Sequence, residues 1–172
     1  MNIVPTTIPY NSILLKENLS SLVKNYNFLF IKTIGKSVLN NDIYAIKLGT
    51  GPYSVFYSAS FHANEWITSI LLMHFIEDYC KSFVSNSSLF GYNIKKIFYS
   101  SSIYIVPMVN PDGVNLVTNL YNKESSEYNT AFNISKKFDK IPFPSGWKSN
   151  ISRHRLKFTI SCRLGKSKRN QI

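Results

Sequence analysis

Cysteine is scarce, with Cys80 and Cys162 the only two in a chain of 172 residues. That count excludes a disulfide framework and a cysteine-ligated metal centre. Long apolar runs are also missing. None is long enough to span a bilayer, so no membrane partner is expected. Met1 to Leu15 lacks the basic start and apolar stretch of a secretory signal, and a cytoplasmic location is the default expectation. Acidic residues are few, nine against 20 lysines and arginines, for a formal net charge of +11. Such an excess raises nucleic acid or an acidic surface as a partner. Its distribution argues otherwise. Residues 154–172 hold Arg155, Lys157, Arg163, Lys166, Lys168 and Arg169 with no acid, six of the eleven net charges. The remainder is ordinary for a soluble domain, so no nucleic-acid partner is expected.

What the chain has is apolar patterning, 44% hydrophobic and 15% aromatic, enough for one domain with a real core. Ser12 to Tyr26 carries Ile13, Leu14, Leu15, Leu19, Leu22 and Val23 between charges, which predicts an amphipathic helix. Phe28 to Ile34 reads as a strand broken by Gly35-Lys36-Ser37, with turn chemistry at Asn40-Asn41-Asp42 and a second strand over Ile43 to Leu48. Gly49 to Pro52 turns the chain into a further apolar strand. Trp66 to Phe83 has Ile70, Leu71, Met73, Phe75, Ile76 and Tyr79 at helical spacing. Ser85 to Ser88 is a polar break, Leu89 to Tyr99 a short segment without clear pattern, and Ile103 to Val106 a strand fit for a covered sheet interior. From Asn110 to about Trp147 the chain reads as one long loop, a length uncommon unless functional.

Candidate chemistry lies in residues 54–69, where an apolar strand runs into His62-x-x-Glu65-Trp66 and then a helix. A ring nitrogen and a carboxylate three residues apart can reach one cation from a single loop or first helical turn, as zinc commonly requires. Taken alone, the pair is more often a surface histidine beside a first-turn glutamate favoured by the helix dipole. His74, in mid-helix, reads as a packed or solvated side chain.

A second stretch, Ile103 to Val117, ends its strand in Asn110-Pro111-Asp112-Gly113. His62-x-x-Glu65 followed by this motif at domain-scale separation resembles the zinc carboxypeptidase family. Within it, the likeness is to bacterial peptidases that cut the γ-D-glutamyl to diaminopimelate bond of peptidoglycan peptides. The resemblance runs from about Tyr10 to Arg153. It implies an α/β fold, the N-terminal part of a mixed sheet flanked by helices, with Zn2+ as cofactor and a peptide or peptidoglycan peptide as substrate. It also implies that His62 and Glu65 are two zinc ligands. Trp147-Lys148 matches the family's Trp-Lys or Trp-Arg pair, which makes Lys148 the cation that polarises the scissile carbonyl, against the alternative of a solvated loop lysine. Asn64 stands where many relatives carry Arg, and Asn40-Asn41 where they carry Gly-Arg.

After Arg153 the likeness stops. The expected division is residues 1–153 as the N-terminal portion of a peptidase domain and 154–172 as an aberrant basic tail. A shifted reading frame accounts for it, because residues 154–172 can be back-translated so that the second frame reads Ile-Asp-Leu-Asn-Leu-Gln, as the family would continue. Sequencing the gene tests this directly. The family's third zinc ligand, a histidine, and its general-base glutamate would then be absent from the chain, and His154 is the only histidine further on. The expectation is a zinc peptidase by ancestry, inactive alone, whose exposed sheet edge and helix side favour aggregation. The competing reading is a non-catalytic remnant that binds cell wall or nucleic acid.

Overall fold

The computed structural model describes residues 2–138 and 140–152. The basic stretch, with His154 and Cys162, lies outside the described residues. Helix α1 (Ser12–Asn25) starts where Asn11 Oδ1 accepts from the N–H groups of Ile13 and Leu14 at 3.1 and 3.0 Å. The cap satisfies two of the donors that every helix start leaves unpaired. Its buried stripe is Leu15, Leu19 and Leu22. Strands β1 (Phe30–Lys36) and β2 (Asp42–Leu48) form an antiparallel pair. Gly35-Lys36-Ser37 does not end β1 as the sequence predicts. Pairing runs on to Lys36 opposite Asp42, with the register irregularity absorbed between Thr33 and Gly35 as at a bulge.

Strand β3 (Tyr53–Ser58) leads through the His62 loop to α2 (Ile67–Val84). A small hairpin, β4 (Ser88–Leu89) and β5 (Tyr92–Asn93), precedes α3 (Ile94–Ser100) and β6 (Ser101–Val106). The main sheet has the order β1-β2-β6-β3, with β6 antiparallel to β2 and parallel to β3. A parallel pair requires a crossover, and α2 is its body. The core joins Leu15, Leu19 and Leu22 of α1 with Met73, Ile76 and Cys80 of α2 and Ile46, Leu48 and Ile105 of the sheet. No helix among the described residues is long and apolar enough to cross a membrane.

Two features go beyond the sequence pattern. Glu77 on α2 is fully buried and clamps the N-terminal segment, accepting from the N–H groups of Ile3 and Val4, each at 2.9 Å, and pairing with Lys81 at 2.7 Å. Strand β3, six residues without a charge, is an edge among the described residues, with Tyr53 73% and Phe56 55% exposed. Strands of parallel pairs are ordinarily covered on both faces. Ile67 and Leu71 of α2 are exposed as well.

The long loop predicted over 110–147 is a correction. It holds α4 (Pro111–Val117) and α5 (Ser126–Ser135). These helices build a second, small core of Ala63, Leu116, Ala131, Trp147 and Ile151, with Phe143 packed edge-on to Trp147 at 5.7 Å. They were hidden because neither shows an amphipathic stripe: α4 buries six of its seven residues and α5 only Ala131, while their caps, Asn110 and Ser125, read as loop chemistry. Leu89 to Tyr99 likewise resolves into the hairpin and α3.

Candidate metal centre

Past its last ladder residue, β3 stays tied to β6. Ala59 N–H donates to Val106 O at 3.0 Å, Val109 N–H to Ala59 O at 3.0 Å, and Asn110 N–H to Ser60 O at 3.1 Å. Ser60 is buried with φ +51°, in the left-handed region that a non-glycine residue adopts only where its surroundings compel it. They do so here. Its N–H donates to Thr68 Oγ1 at 3.0 Å, and its hydroxyl shares a 2.6 Å hydrogen bond with Ser69, which donates to Pro107 O at 2.6 Å. This knot swings the chain out of the sheet plane one residue before Phe61-His62.

His62 precedes a single 3-10 turn, Ala63–Glu65, closed by Glu65 N–H donating to His62 O at 3.1 Å. His62 is exposed and Glu65 half-buried, and neither side chain has a hydrogen bond or ion pair among the described residues. Both are therefore free to act as donors. In kind they suit zinc, which takes imidazole nitrogen and carboxylate oxygen. In number they fall short, since no group of three His, Cys, Asp or Glu side chains able to hold a metal occurs among the described residues. His74 sits half-buried in mid-α2 and takes no part in this loop.

Trp147-Lys148 lies against the same turn. Asn64 N–H donates to Trp147 O at 3.1 Å and Ala63 N–H to Lys148 O at 3.5 Å. Trp147 is buried, while Lys148 is exposed. The sequence brought these residues together only through a resemblance; the backbone pairing does so physically.

Asn110 holds the arrangement, a role sequence reasoning missed. Buried at the N-cap of α4, it donates from Nδ2 to Phe61 O at 3.3 Å and Ser149 O at 3.2 Å, while Oδ1 accepts from Gly113 N–H at 3.1 Å. One side chain thus spans the His62 loop and the Lys148 loop. Gly113 is required beneath it, because a Cβ there would lie 2.5 Å from Ser149 O and 2.7 Å from Ala63 Cβ. Next to it, the buried Asp112 carboxylate accepts from Ser37 Oγ at 2.5 Å, Asn41 Nδ2 at 2.8 Å and Leu39 N–H at 3.0 Å, fixing the β1–β2 turn. The available signal was Asn-Pro, a cap residue followed by the proline favoured at the first helical position.

The fold is that of the metallocarboxypeptidases. Bovine thrombin-activatable fibrinolysis inhibitor, solved with tick carboxypeptidase inhibitor, superposes with a TM-score of 0.56 at 16% identity over 82% of this chain and 36% of that one. A second thrombin-activatable fibrinolysis inhibitor structure gives 0.58 at 15% identity, over 69% and 30%.

Sequence comparison carries this from fold to family. The profile described as zinc carboxypeptidase matches residues 15–159, most of the chain, which therefore belongs to that family. Gamma-D-glutamyl-L-diamino acid endopeptidase 1 of Lysinibacillus sphaericus is 35% identical over 83% of this chain and 35% of its own length. A zinc carboxypeptidase of Saccharothrix mutabilis subsp. capreolus is 31% identical over 51% and 20%, and an uncharacterised Bacillus subtilis protein 40% identical over 64% and 30%. The chain spans about a third of the length of the first two curated relatives it matches.

Proposed function

We propose that this chain carries the N-terminal part of a zinc peptidase domain directed at γ-D-glutamyl to diamino acid bonds in peptidoglycan peptides. His62 and Glu65 are two of its metal ligands, and Lys148 is the cation presented to the substrate carbonyl. The observation that carries the reading is the pairing of the His62–Glu65 turn with Trp147-Lys148, with Asn110 bridging both loops. The substrate class is supported by the likeness to the Lysinibacillus sphaericus endopeptidase.

Zinc, when bound, supplies a Lewis acid and an activated water. The chain's own part is to hold and orient. His62 and Glu65 offer their donors from one short turn whose backbone is pinned by Asn110 and by the Ser60 knot. The Lys148 ammonium, free in solvent, compensates negative charge developing on a carbonyl oxygen. Two protein donors, all that the described residues bring together, would hold zinc only weakly, because a pair of ligands gives little chelate gain. This 172-residue chain alone is therefore proposed to be inactive.

Zinc titration calorimetry and hydrolysis of a γ-D-glutamyl-diaminopimelate peptide test the reading together. Weak uptake of one zinc, lost in His62→Ala and in Glu65→Ala but kept in Lys148→Ala, is the expected result. Uptake indifferent to His62 and Glu65 rejects the metal assignment. Brisk turnover by the unaltered chain rejects the inactivity.

A further inference from the structure

Seven large apolar side chains among the described residues are more than 60% exposed, and four of them fall within sixteen residues: Val84 64%, Phe90 81%, Tyr92 68% and Tyr99 65%. They belong to the end of α2, the β4–β5 hairpin and α3, which lie where β6 begins. The metal loop lies where β3 and β6 finish, a six-residue strand of about 20 Å away. The corner is rigidly backed. Phe28, Phe83 and Phe98 stack behind it with centroid separations of 4.5, 4.3 and 5.7 Å, and Tyr99 leans on Phe98 at 5.4 Å and on Phe83 at 6.4 Å.

Phe90 occupies a position its backbone disfavours. The hairpin closes with Leu89 opposite Tyr92, leaving Phe90-Gly91 as a two-residue turn with φ of +52° and +83°. Both values are positive, as in a type I′ turn, whose first position favours Asn or Gly. A bulky aromatic in the left-handed region is strained, and here no burial offsets the strain, since the ring has solvent around it. The charge around the corner is one-sided. Between Asp78 and Asp112 there is no carboxylate, while α3 opens with Lys95 and Lys96.

We propose that the Phe90 hairpin tip, together with the exposed Val84, Tyr92 and Tyr99 and with Lys95 and Lys96 on the elements packed against the hairpin, docks the protein onto an anionic lipid surface. Phe and Val enter the acyl boundary, the two tyrosines suit the headgroup level with an apolar ring and polar tip, and the lysines meet anionic headgroups. No helix among the described residues is long and apolar enough to cross a membrane, and a peripheral contact of this kind needs none. Placement at the pole opposite the metal loop leaves that loop facing away from the surface. The inference does not depend on whether the metal centre is complete.

Flotation of the full chain with vesicles of phosphatidylcholine containing phosphatidylglycerol, against vesicles of phosphatidylcholine alone, tests it. Partitioning roughly tenfold stronger or more onto the anionic vesicles is expected from two lysines near the surface. Lys95→Glu with Lys96→Glu lowers that preference at least several-fold relative to the parent chain, which carries the same basic stretch at 154–172. Phe90→Asn lowers binding several-fold while raising the melting temperature, because Asn-Gly is the favoured pair for this turn. Phe56→Lys, on the exposed sheet edge, leaves partitioning unchanged, which separates specific docking from general stickiness. Unchanged binding in Phe90→Asn, loss of binding in Phe56→Lys, absence of any vesicle binding, or binding to purified peptidoglycan sacculi but not to vesicles each overturns the proposal.

Discussion

The side-chain amide of Asn110 donates to the carbonyl of Ser149 at 3.2 Å, across 39 residues of sequence. Through its second contact, to Phe61 O, it ties the neighbour of Lys148 to the neighbour of His62. The geometry of the candidate centre therefore hangs on an amide that bears no charge and touches no metal.

Asn110→Ala removes both Nδ2 hydrogen bonds that join the two loops, together with the side-chain cap of α4, and is expected to cost about 2 kcal/mol. Hydrogen exchange read by mass spectrometry shows faster exchange at the Ala63 and Asn64 amides. Asn110→Asp, which retains the acceptor for Gly113 N–H but has no donor, shows the same faster exchange at Ala63 and Asn64 while preserving protection within α4. Equal protection of Ala63 and Asn64 in all three proteins rules out the bridge.

Gly113→Ala is expected to be as damaging, for a steric reason. The added methyl meets backbone oxygen and the Asn110 amide nitrogen, neither of which can retreat without parting the two loops. A denaturation midpoint like that of the parent chain contradicts the junction described.

Glu77 sets an acid limit on the N-terminal clamp. Burial pushes its carboxyl up, but hydrogen bonds from Lys81 and from the N–H groups of Ile3 and Val4 outweigh it and leave the group below the ordinary glutamate range. A carboxyl depressed in the folded state stabilises fully above its unfolded value of about 4.3, and that contribution fades as pH falls through the lower folded value. Glu77→Ala is expected to cost on the order of 3 kcal/mol at neutral pH, because the buried N–H groups of Ile3 and Val4 are left without their charged acceptor. Urea denaturation across the pH range checks this, with the gap between parent and variant closing toward acid and not toward base.

Cys80 is expected to be inert while the chain is folded. Burial, and secondarily the charge of Glu77, push its thiol up to about 12, so almost no thiolate exists at neutral pH. In a Cys162→Ser background, a thiol reagent labels the protein only when denaturant is added. Stoichiometric labelling of the folded chain at pH 8 contradicts the burial.

The β3 edge should drive association. Tyr53-Ser54-Val55-Phe56-Tyr57-Ser58 has β-branched and aromatic residues, no charge and no proline, and its outer hydrogen-bonding groups face no strand among the described residues. Phe56→Lys places a charge there and is expected to lower concentration-dependent light scattering several-fold. Scattering unaffected by the change points to another surface.

Sequence alone determined the elements whose burial has a period. α1 and α2 announced themselves by apolar spacing, β2 and β6 by short β-rich runs, and the two ligand candidates by His-x-x-Glu at the end of a strand. It also determined the family, through two short motifs in order. Only tertiary structure decided what joins those motifs. That Asn110 would reach Ser149, that Asp112 would fix the turn at Ser37 to Asn41, and that Ser60 would be held left-handed all depend on contacts eight to 75 residues apart. Such contacts leave no periodic trace, since a single polar side chain reads the same whether it caps a helix, bridges two loops or faces water. The helices within 110–147 were hidden for the related reason that their small core is assembled from distant residues, Ala63 among them, and not from a stripe of their own.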